Sequence, residues 1–486
     1  MIREEKELEA LEQEAQRLEP APEERRQLGE AVFQYLERFL DELPQQKAFY
    51  SEEGDGEGIE SHPPDEQAHS IEEVLELVQK EVDTPGLNAA SGGHMGYVPG
   101  GGIPLSGFGD LMAAITNRYA GVHFASPGGV RMEQMLVKWM TRLVGYPRSA
   151  GGDLSSGGSI ANLTGIVTAR EAYAIRAREI PETVIYASPH MHHCLDKAIR
   201  IAGLQECVRR EVPLDDRFRM KADELEAMLE DDLHKGLKPW CLVASAGTTD
   251  TGAVDPLEEL GSIAEGYGLW FHCDAAYGGF FLLTEEGKEL LKGIERADSV
   301  VLDPHKGLFL PYGSGAILVK DQEDLHRAFT YHADYMQDAE DPEGTRSPAE
   351  ISPELTKHFR GMRMWLPLKI HGLAPFRACS KEKLHLARYF YRKVQEIPNI
   401  EIGPEPDLSV VIFRLDPEGM DADQATERLN ERIRKEGQVF FSSTRLGGSF
   451  YLRAAILSFR THRRTIDIGL ERIAYHSRAI LEKADP

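Results

Sequence analysis

The 486 residues carry 55 Lys+Arg against 80 Asp+Glu, a net charge of −25, with 41% hydrophobic and 28% charged positions. Such a length supports two or three domains of ~100–200 residues and excludes a mini-protein held by staples. The acidity excludes charge-driven binding to nucleic acid or an anionic membrane. No apolar run approaches the ~20 residues that span a bilayer, so a cytoplasmic protein is expected.

Residues 1–43 read as two helices; in the second, Leu28, Val32, Phe33, Leu36, Phe39, Leu40 and Leu43 recur at three- and four-residue spacing. One apolar stripe therefore needs covering, either by the chain itself or by a partner subunit, and Pro44 stops the helix. The acidic, Gly/Pro-rich stretch 51–69 reads as a linker or loop. Ser70 and Glu73 then form a capping box for a short helix to about Val82. From about residue 150 short apolar runs alternate with helical stretches: TVIYAS (183–188), CLVASAG (241–247), LWFHCD (269–274), DSVVLD (298–303) and AILVK (316–320), with helices at 194–202, 221–235 and 256–267. This alternation predicts an α/β domain around a mostly parallel sheet buried on both faces. Beyond about 361 a helix (380–396), strands at 409–415, 438–444 and 450–457, and helices at 421–436 and 465–483 predict a smaller α+β domain. The domains expected are 1–88, a helical arm; 89–360, the large α/β domain; and 361–486, the small C-terminal domain. Five cysteines, an odd number without a C-x-x-C pair, point to reduced thiols.

Ligands of an open α/β sheet gather at the carboxyl ends of its strands, and five junctions here carry polar residues. In SSGGSIANLTGI (155–166) a Ser/Gly turn opens a helix, where Gly158 and Ser159 either cradle a phosphate or simply cap the helix. SPHMHH (188–193) is a solvated turn or supplies an imidazole for stacking or proton transfer, and no second cluster at ligand spacing supports a metal. SAGTTDTGAVDP (245–256) brings hydroxyls, or a plain turn, after a buried strand. Asp274 ends the run LWFHCD, so a buried carboxylate in need of a partner is expected above a floor of Ala275 and Ala276. Lys306, in LDPHKGLFLP, sits where partial burial is expected to lower its ammonium pKa towards imine chemistry. Together, a phosphate cradle, a ring stacker, a buried Asp and a recessed Lys match the needs of pyridoxal 5′-phosphate.

At these residues the chain resembles the group II pyridoxal-phosphate-dependent amino-acid decarboxylases, in particular the aromatic-L-amino-acid and tyrosine decarboxylases, from about residue 25 to the C-terminus. GGSIAN (157–162) matches the family's phosphate turn, PHMHH places His192 at the ring-stacking position, and GTT places Thr249 at a cofactor contact. HCDAAYGG matches the strand whose Asp, here Asp274, faces the pyridinium nitrogen, with Ala276 beside it. DPHK places Lys306 at the lysine that binds the cofactor, with His305 on the phosphate side and Asp303 where several relatives carry Asn. The resemblance implies an aspartate-aminotransferase-like fold (fold type I), pyridoxal 5′-phosphate as cofactor, no metal, and a homodimer with the active site between subunits and the N-terminal arm on the partner. It also implies loss of the α-carboxylate of an L-amino acid as CO2, with Lys306, His192 and Asp274 catalytic.

Two departures stand out. The family's loop ahead of FRGMRMW (359–365) usually carries a tyrosine that returns a proton to Cα; alignment back from that segment puts Pro348 there, and Tyr331 and Tyr335 occur only earlier. In HMGYVPGGG (94–102) only Tyr97 matches the bulkier segment of relatives acting on aromatic substrates. The small Val98 and Gly100 predict an opened or reshaped substrate wall. Arg360 and Arg453 each suit a substrate carboxylate or a salt bridge. The alternatives are a Cα–Cβ lyase on the same scaffold, an oxidative decarboxylase giving an aldehyde, and a fold-retaining protein without catalysis.

Overall fold

A computed structural model describes residues 2–51, 54–331 and 346–482. Two helices open the chain, α1 (Ile2–Ala15) and α2 (Pro22–Glu42). Pro22 at the first helical position, followed by Glu23 and Glu24, suits the amino end of α2. Helix α3 (Ile71–Val78) starts at the expected capping box, with Glu73 N–H donating to Ser70 Oγ at 3.3 Å and Ser70 N–H donating to the Glu73 carboxylate at 3.0 Å. Its continuation towards Val82 is a π-turn over Gln79–Asp83. Short strands β1 (Phe49–Tyr50), β2 (Gly86–Leu87) and β3 (His94–Met95) precede helices α4 (Pro104–Thr116) and α5 (Pro127–Val144).

The large sheet comprises β4 (Gly151–Ser155), β5 (Thr183–Ala187), β6 (Val208–Glu211), β7 (Lys238–Ser245), β8 (Trp270–Asp274), β9 (Ser299–Leu302) and β10 (Gly315–Val319), ordered β4-β10-β9-β8-β7-β5-β6. Strands β9, β8, β7, β5 and β6 are parallel, and β10 is antiparallel to both its neighbours. Two reversals make β4 run with the parallel set, so its carboxyl end opens on the same edge. Alternate residues enter separate cores: Leu242, Phe271, Cys273 and Val300 pack on one face, Val243, Trp270, Val301 and Ile317 on the other. Burial of both faces is why these strands read as continuous apolar runs.

The second sheet orders β11 (Ile400–Ile402), β12 (Val410–Leu415), β14 (Ser449–Ala455), β13 (Phe440–Leu446) and β3. Strand β3 lies parallel to β13, His94 opposite Phe440 and Met95 opposite Phe441. The chain around the sequence-based boundary at 88/89 thus reaches across to the C-terminal sheet before entering the large domain. Among the described residues no helix is long and apolar enough to cross a membrane.

Candidate active site

The carboxyl ends of β4, β5, β7, β8 and β9 converge on a cavity of about 260 Å³, lined by Gly158, Ser159, His192, Thr249, Asp274, Ala276, Asp303, His305 and Lys306 among others. The nine residues expected from the sequence to bind the cofactor therefore meet at one place. Each arrives by the same local device, a buried strand that delivers its last residue to the sheet edge and a turn or helix start that follows. Parallel register aligns these ends, with Ser245 beside Asp274 and Asp274 beside Val301.

After β4, helix α6 (Gly158–Ala172) begins at the cavity with its first N–H groups free. A Cβ at Gly158 would stand 2.8 Å from Asp303 Oδ2, so any larger residue at this helix start would push the Asp303 carboxylate aside. After β5, His192 caps helix α7 (His193–Ile201): its Nδ1 accepts from Cys194 N–H at 3.3 Å, which leaves the hydrogen on Nε2. Burial pulls His192 below the usual imidazole pKa, so it is neutral at pH 7. His190 also lines the cavity and stacks on Phe218, whereas His193 is exposed on α7.

Asp274 accepts from Ala276 N–H at 3.1 Å through Oδ1 and from Asn162 Nδ2 at 3.2 Å through Oδ2. Asn162 stands in the quoted GGSIAN stretch but carries no signal of this role, because the partner carboxylate lies 112 residues away in sequence. Lys306 Nζ lies 3.1 Å from Asp303 Oδ2. Burial acts to lower the Lys306 pKa, as expected from sequence, but the carboxylates of Asp303 and Asp274 outweigh it and the ammonium is held above its ordinary value. The expectation of a lowered pKa is thus reversed, by a carboxylate one helical turn before the lysine. His305 Nδ1–H donates to the Ser314 carbonyl at 2.5 Å, and its Nε2 stands 3.8 Å from Asp303 Oδ2.

The five-stranded sheet contributes through Arg453 of β14, which is 3% exposed. Its guanidinium donates to the carbonyls of Thr249 and Asp250 and to Ser442 Oγ, while Thr444 donates to Asp250 at 2.7 Å. Arg453 thereby fixes the turn that carries Thr249. Arg360 is engaged with both carboxylate oxygens of Glu354 at 3.0 Å. Both arginines spend their donors inside the protein.

The expected opening of the substrate wall is not found at Gly100 or Val98. A Cβ at Gly100 would lie 2.1 Å from the His305 carbonyl, so the missing side chain serves close packing against the lysine turn. Val98 is buried in the main core. Tyr97 and Val98 both occupy the left-handed region, at φ 54° and 56°, a strained arrangement of the kind that surrounding structure must impose. Pro348 is buried at the start of a 3₁₀ turn, Pro348–Glu350, tied to Gly121 through Ala349 N–H. Tyr331 is 90% exposed, and Tyr335 lies outside the described residues.

The model of the pyridoxal-dependent decarboxylase conserved domain matches residues 65–416. An aromatic-L-amino-acid decarboxylase of Bacillus atrophaeus is 30% identical over 458 residues, covering 92% of this chain and 94% of that protein. A phenylacetaldehyde synthase of Arabidopsis thaliana is 27% identical over 402 residues, covering 80% and 82%. Among solved structures, Oryza sativa TDC with PLP and tryptamine superposes with a TM-score of 0.89 at 22% identity, over 95% of this chain and 99% of that one. Mouse CSAD superposes with a TM-score of 0.84 at 25% identity, over 94% and 99%. With most of its length matched by the domain model and its lysine, aspartate and glycine turn gathered at one sheet edge, the chain belongs to the pyridoxal-dependent decarboxylase family, fold-type I enzymes whose cofactor is pyridoxal 5′-phosphate.

Proposed function

We propose that the protein removes the α-carboxylate of an L-amino acid to give the amine and CO2, with Lys306, Asp274 and His192 as its catalytic residues. The observation that carries this reading is the convergence of these three on one cavity with the amino end of α6. The cavity suits the cofactor: the glycine at 158 keeps open a helix start that a Cβ would crowd, and Asp303 Oδ1 is buried without a hydrogen-bond partner. When bound, pyridoxal phosphate supplies an aldehyde and a ring that accepts the electron pair of the broken Cα–carboxylate bond.

The amino end of α6, with Gly158 and Ser159, would hold the phosphate; Thr249 and Ala276 would shape the floor and His305 would brace the phosphate side. Asp274 would hold a proton at the ring nitrogen, and His192 would stack on the ring with its Nε2–H available for proton transfer. Lys306 would hold the cofactor through its amine only after losing the ammonium proton, and Asp303 opposes that loss. Asp303→Asn removes the nearest carboxylate. The pH at which cofactor capture reaches half its maximal rate is therefore expected to fall by about one unit, and capture at pH 7 to rise about tenfold. Stopped-flow absorbance of apoenzyme mixed with cofactor across pH checks this; an unchanged profile contradicts the role given to Asp303.

An amino-acid panel read for CO2, amine, aldehyde and ammonia tests the function. Amine with stoichiometric CO2 is expected, and the absence of CO2 from every amino acid overturns the reading in favour of a Cα–Cβ lyase. One observation favours a second outcome, oxidative decarboxylation to an aldehyde: buried Pro348 occupies the position aligned with the family's tyrosine, and relatives of this chain include phenylacetaldehyde synthases. Aldehyde with ammonia identifies that outcome.

The active form is proposed to be a homodimer with the site between subunits. Support comes from the α2 stripe, where Val32, Phe33 and Leu36 remain 37–43% exposed and with Phe108 and Leu111 of α4 line an open apolar cavity of about 520 Å³. A surface this apolar marks an association site. Light scattering is expected to give twice the chain mass; a monomer at micromolar concentration rules the dimer out. The five cysteines are free thiols, which supports a cytoplasmic setting.

A further inference from the structure

We propose that Asn162 and His272 are positioning residues for Asp274, the inner links of a buried hydrogen-bond chain that starts at Trp270 and fixes Asp274 as an acceptor facing the cofactor ring. The inference rests on the reading that Asp274 faces the ring nitrogen. It goes beyond that reading by assigning what sets the state of the aspartate.

The chain has four links: Trp270 Nε1 to Ser299 Oγ at 2.9 Å, Ser299 Oγ to His272 Nδ1 at 2.7 Å, His272 Nε2 to Asn162 Oδ1 at 2.8 Å, and Asn162 Nδ2 to Asp274 Oδ2 at 3.2 Å. Asn162, His272 and Ser299 are wholly buried and Trp270 nearly so. Water therefore does not complete these contacts, and each donor must meet an acceptor.

The direction of the chain follows from its one member without a choice. An indole N–H only donates, so Ser299 Oγ accepts from Trp270. Among the described residues the serine hydroxyl has no other acceptor in reach, so its single proton goes to His272 Nδ1, which makes Nδ1 the acceptor and leaves the hydrogen on Nε2. That N–H donates to Asn162 Oδ1 and settles which end of the amide is which. The NH2 end consequently faces Asp274, with Cys194 Sγ also within 3.4 Å of it. Burial lowers the His272 pKa to about 4, so the ring carries only the hydrogen this scheme assigns.

Asp274 needs this polarity. With Ala276 N–H on Oδ1 and Asn162 Nδ2 on Oδ2, both oxygens accept from donors and keep lone pairs for the cavity side. Were the Asn162 amide reversed, its Oδ1 would face Asp274 Oδ2, acceptor against acceptor, and the carboxylate would lose the donor that holds it in place. Reversal would also set the amide NH2 against His272 Nε2–H, donor against donor.

The test compares equilibrium binding of pyridoxal 5′-phosphate with that of its 1-deaza analogue, in which a C–H replaces the ring nitrogen. Wild type is expected to prefer the natural cofactor, and Asp274→Asn to lose that preference. Asn162→Leu and His272→Phe are each expected to reduce the preference about tenfold while changing affinity for the deaza analogue far less, because charge-assisted hydrogen bonding is lost only at the nitrogen. His272→Gln, which restores a donor towards Asn162, is expected to recover part of it. Equal weakening of both ligands in Asn162→Leu and His272→Phe means packing alone and overturns the proposal. Ser299→Ala deletes a single oxygen and serves if the larger changes impair folding; a wild-type preference in it overturns the proposal as well. A preference that persists in Asp274→Asn overturns the placement of Asp274 itself, a failure distinct from that of the chain behind it.

Discussion

Lys306→Ala is expected to lower turnover by at least about 10³-fold and to abolish covalent capture of the cofactor. The α6 amino end, Ser159 and Asp274 are untouched by the change, so the variant still binds pyridoxal phosphate, but it presents no amine to the aldehyde. Borohydride treatment followed by intact-mass measurement separates the two effects. The wild-type chain gains the mass of the reduced cofactor and Lys306→Ala gains none. The visible band near roughly 400 nm, which the cofactor shows when joined to a lysine, disappears in parallel. The substitution also strips Asp303 of the ammonium at 3.1 Å while its Oδ1 already has no partner. The cofactor-free variant is therefore expected to melt below the wild-type apoenzyme, since a recessed carboxylate is left uncompensated. A mass gain on Lys306→Ala equal to the wild type's would show that another lysine carries the cofactor.

Asp274→Asn is expected to lower kcat/KM about 10²–10³-fold, the scale of removing one preorganised electrostatic contact from a water-poor site. The asparagine has the shape of the aspartate but cannot satisfy its surroundings. Ala276 N–H and Asn162 Nδ2 both point donors at this side chain, and an amide offers one oxygen where the carboxylate offers two. Its NH2 group must then oppose one of the donors, and the negative charge proposed to face the ring nitrogen is gone. Reconstitution with an N-methylated cofactor, which carries a fixed positive charge, is expected to return part of the lost rate. Full activity of Asp274→Asn with the natural cofactor would remove Asp274 from the catalytic set.

The contrast between two aspartates shows how far the sequence can be read. Asp274 is legible because it ends an apolar run, a pattern that places a carboxylate at a sheet edge whatever its neighbours are. Its supports are not legible: Asn162 and His272 are separated by 110 residues and meet only because α6 packs across β8. Asp303 was visible as a departure from relatives. Its effect on Lys306, raising an ammonium pKa that burial by itself would lower, depends on a 3.1 Å approach that no spacing rule specifies. The same limit explains the HMGYVPGGG segment. Small residues in sequence suggest space, yet at Gly100 the neighbouring backbone fills it.

Strands β4 and β6 escaped the sequence reading for opposite reasons. GGDLS lacks β-branched residues, and VRRE is an edge strand whose residues are only half covered. Strand β3, two residues long, exists only because β13 offers it a parallel edge.

By itself the sequence determined the alternation of buried strands and helices, the glycine turn at the start of α6, and the positions of Asp274 and Lys306 at strand ends. These follow from local patterning, since periodicity and strand length fix which residues reach the sheet edge. Only the tertiary structure decided that five such edges share one cavity, that Arg453 of β14 anchors the Thr249 turn, and which carboxylate Lys306 faces. Those outcomes belong to groups brought within hydrogen-bonding distance from far apart in the chain, and both charge interactions and hydrogen bonds depend on that distance.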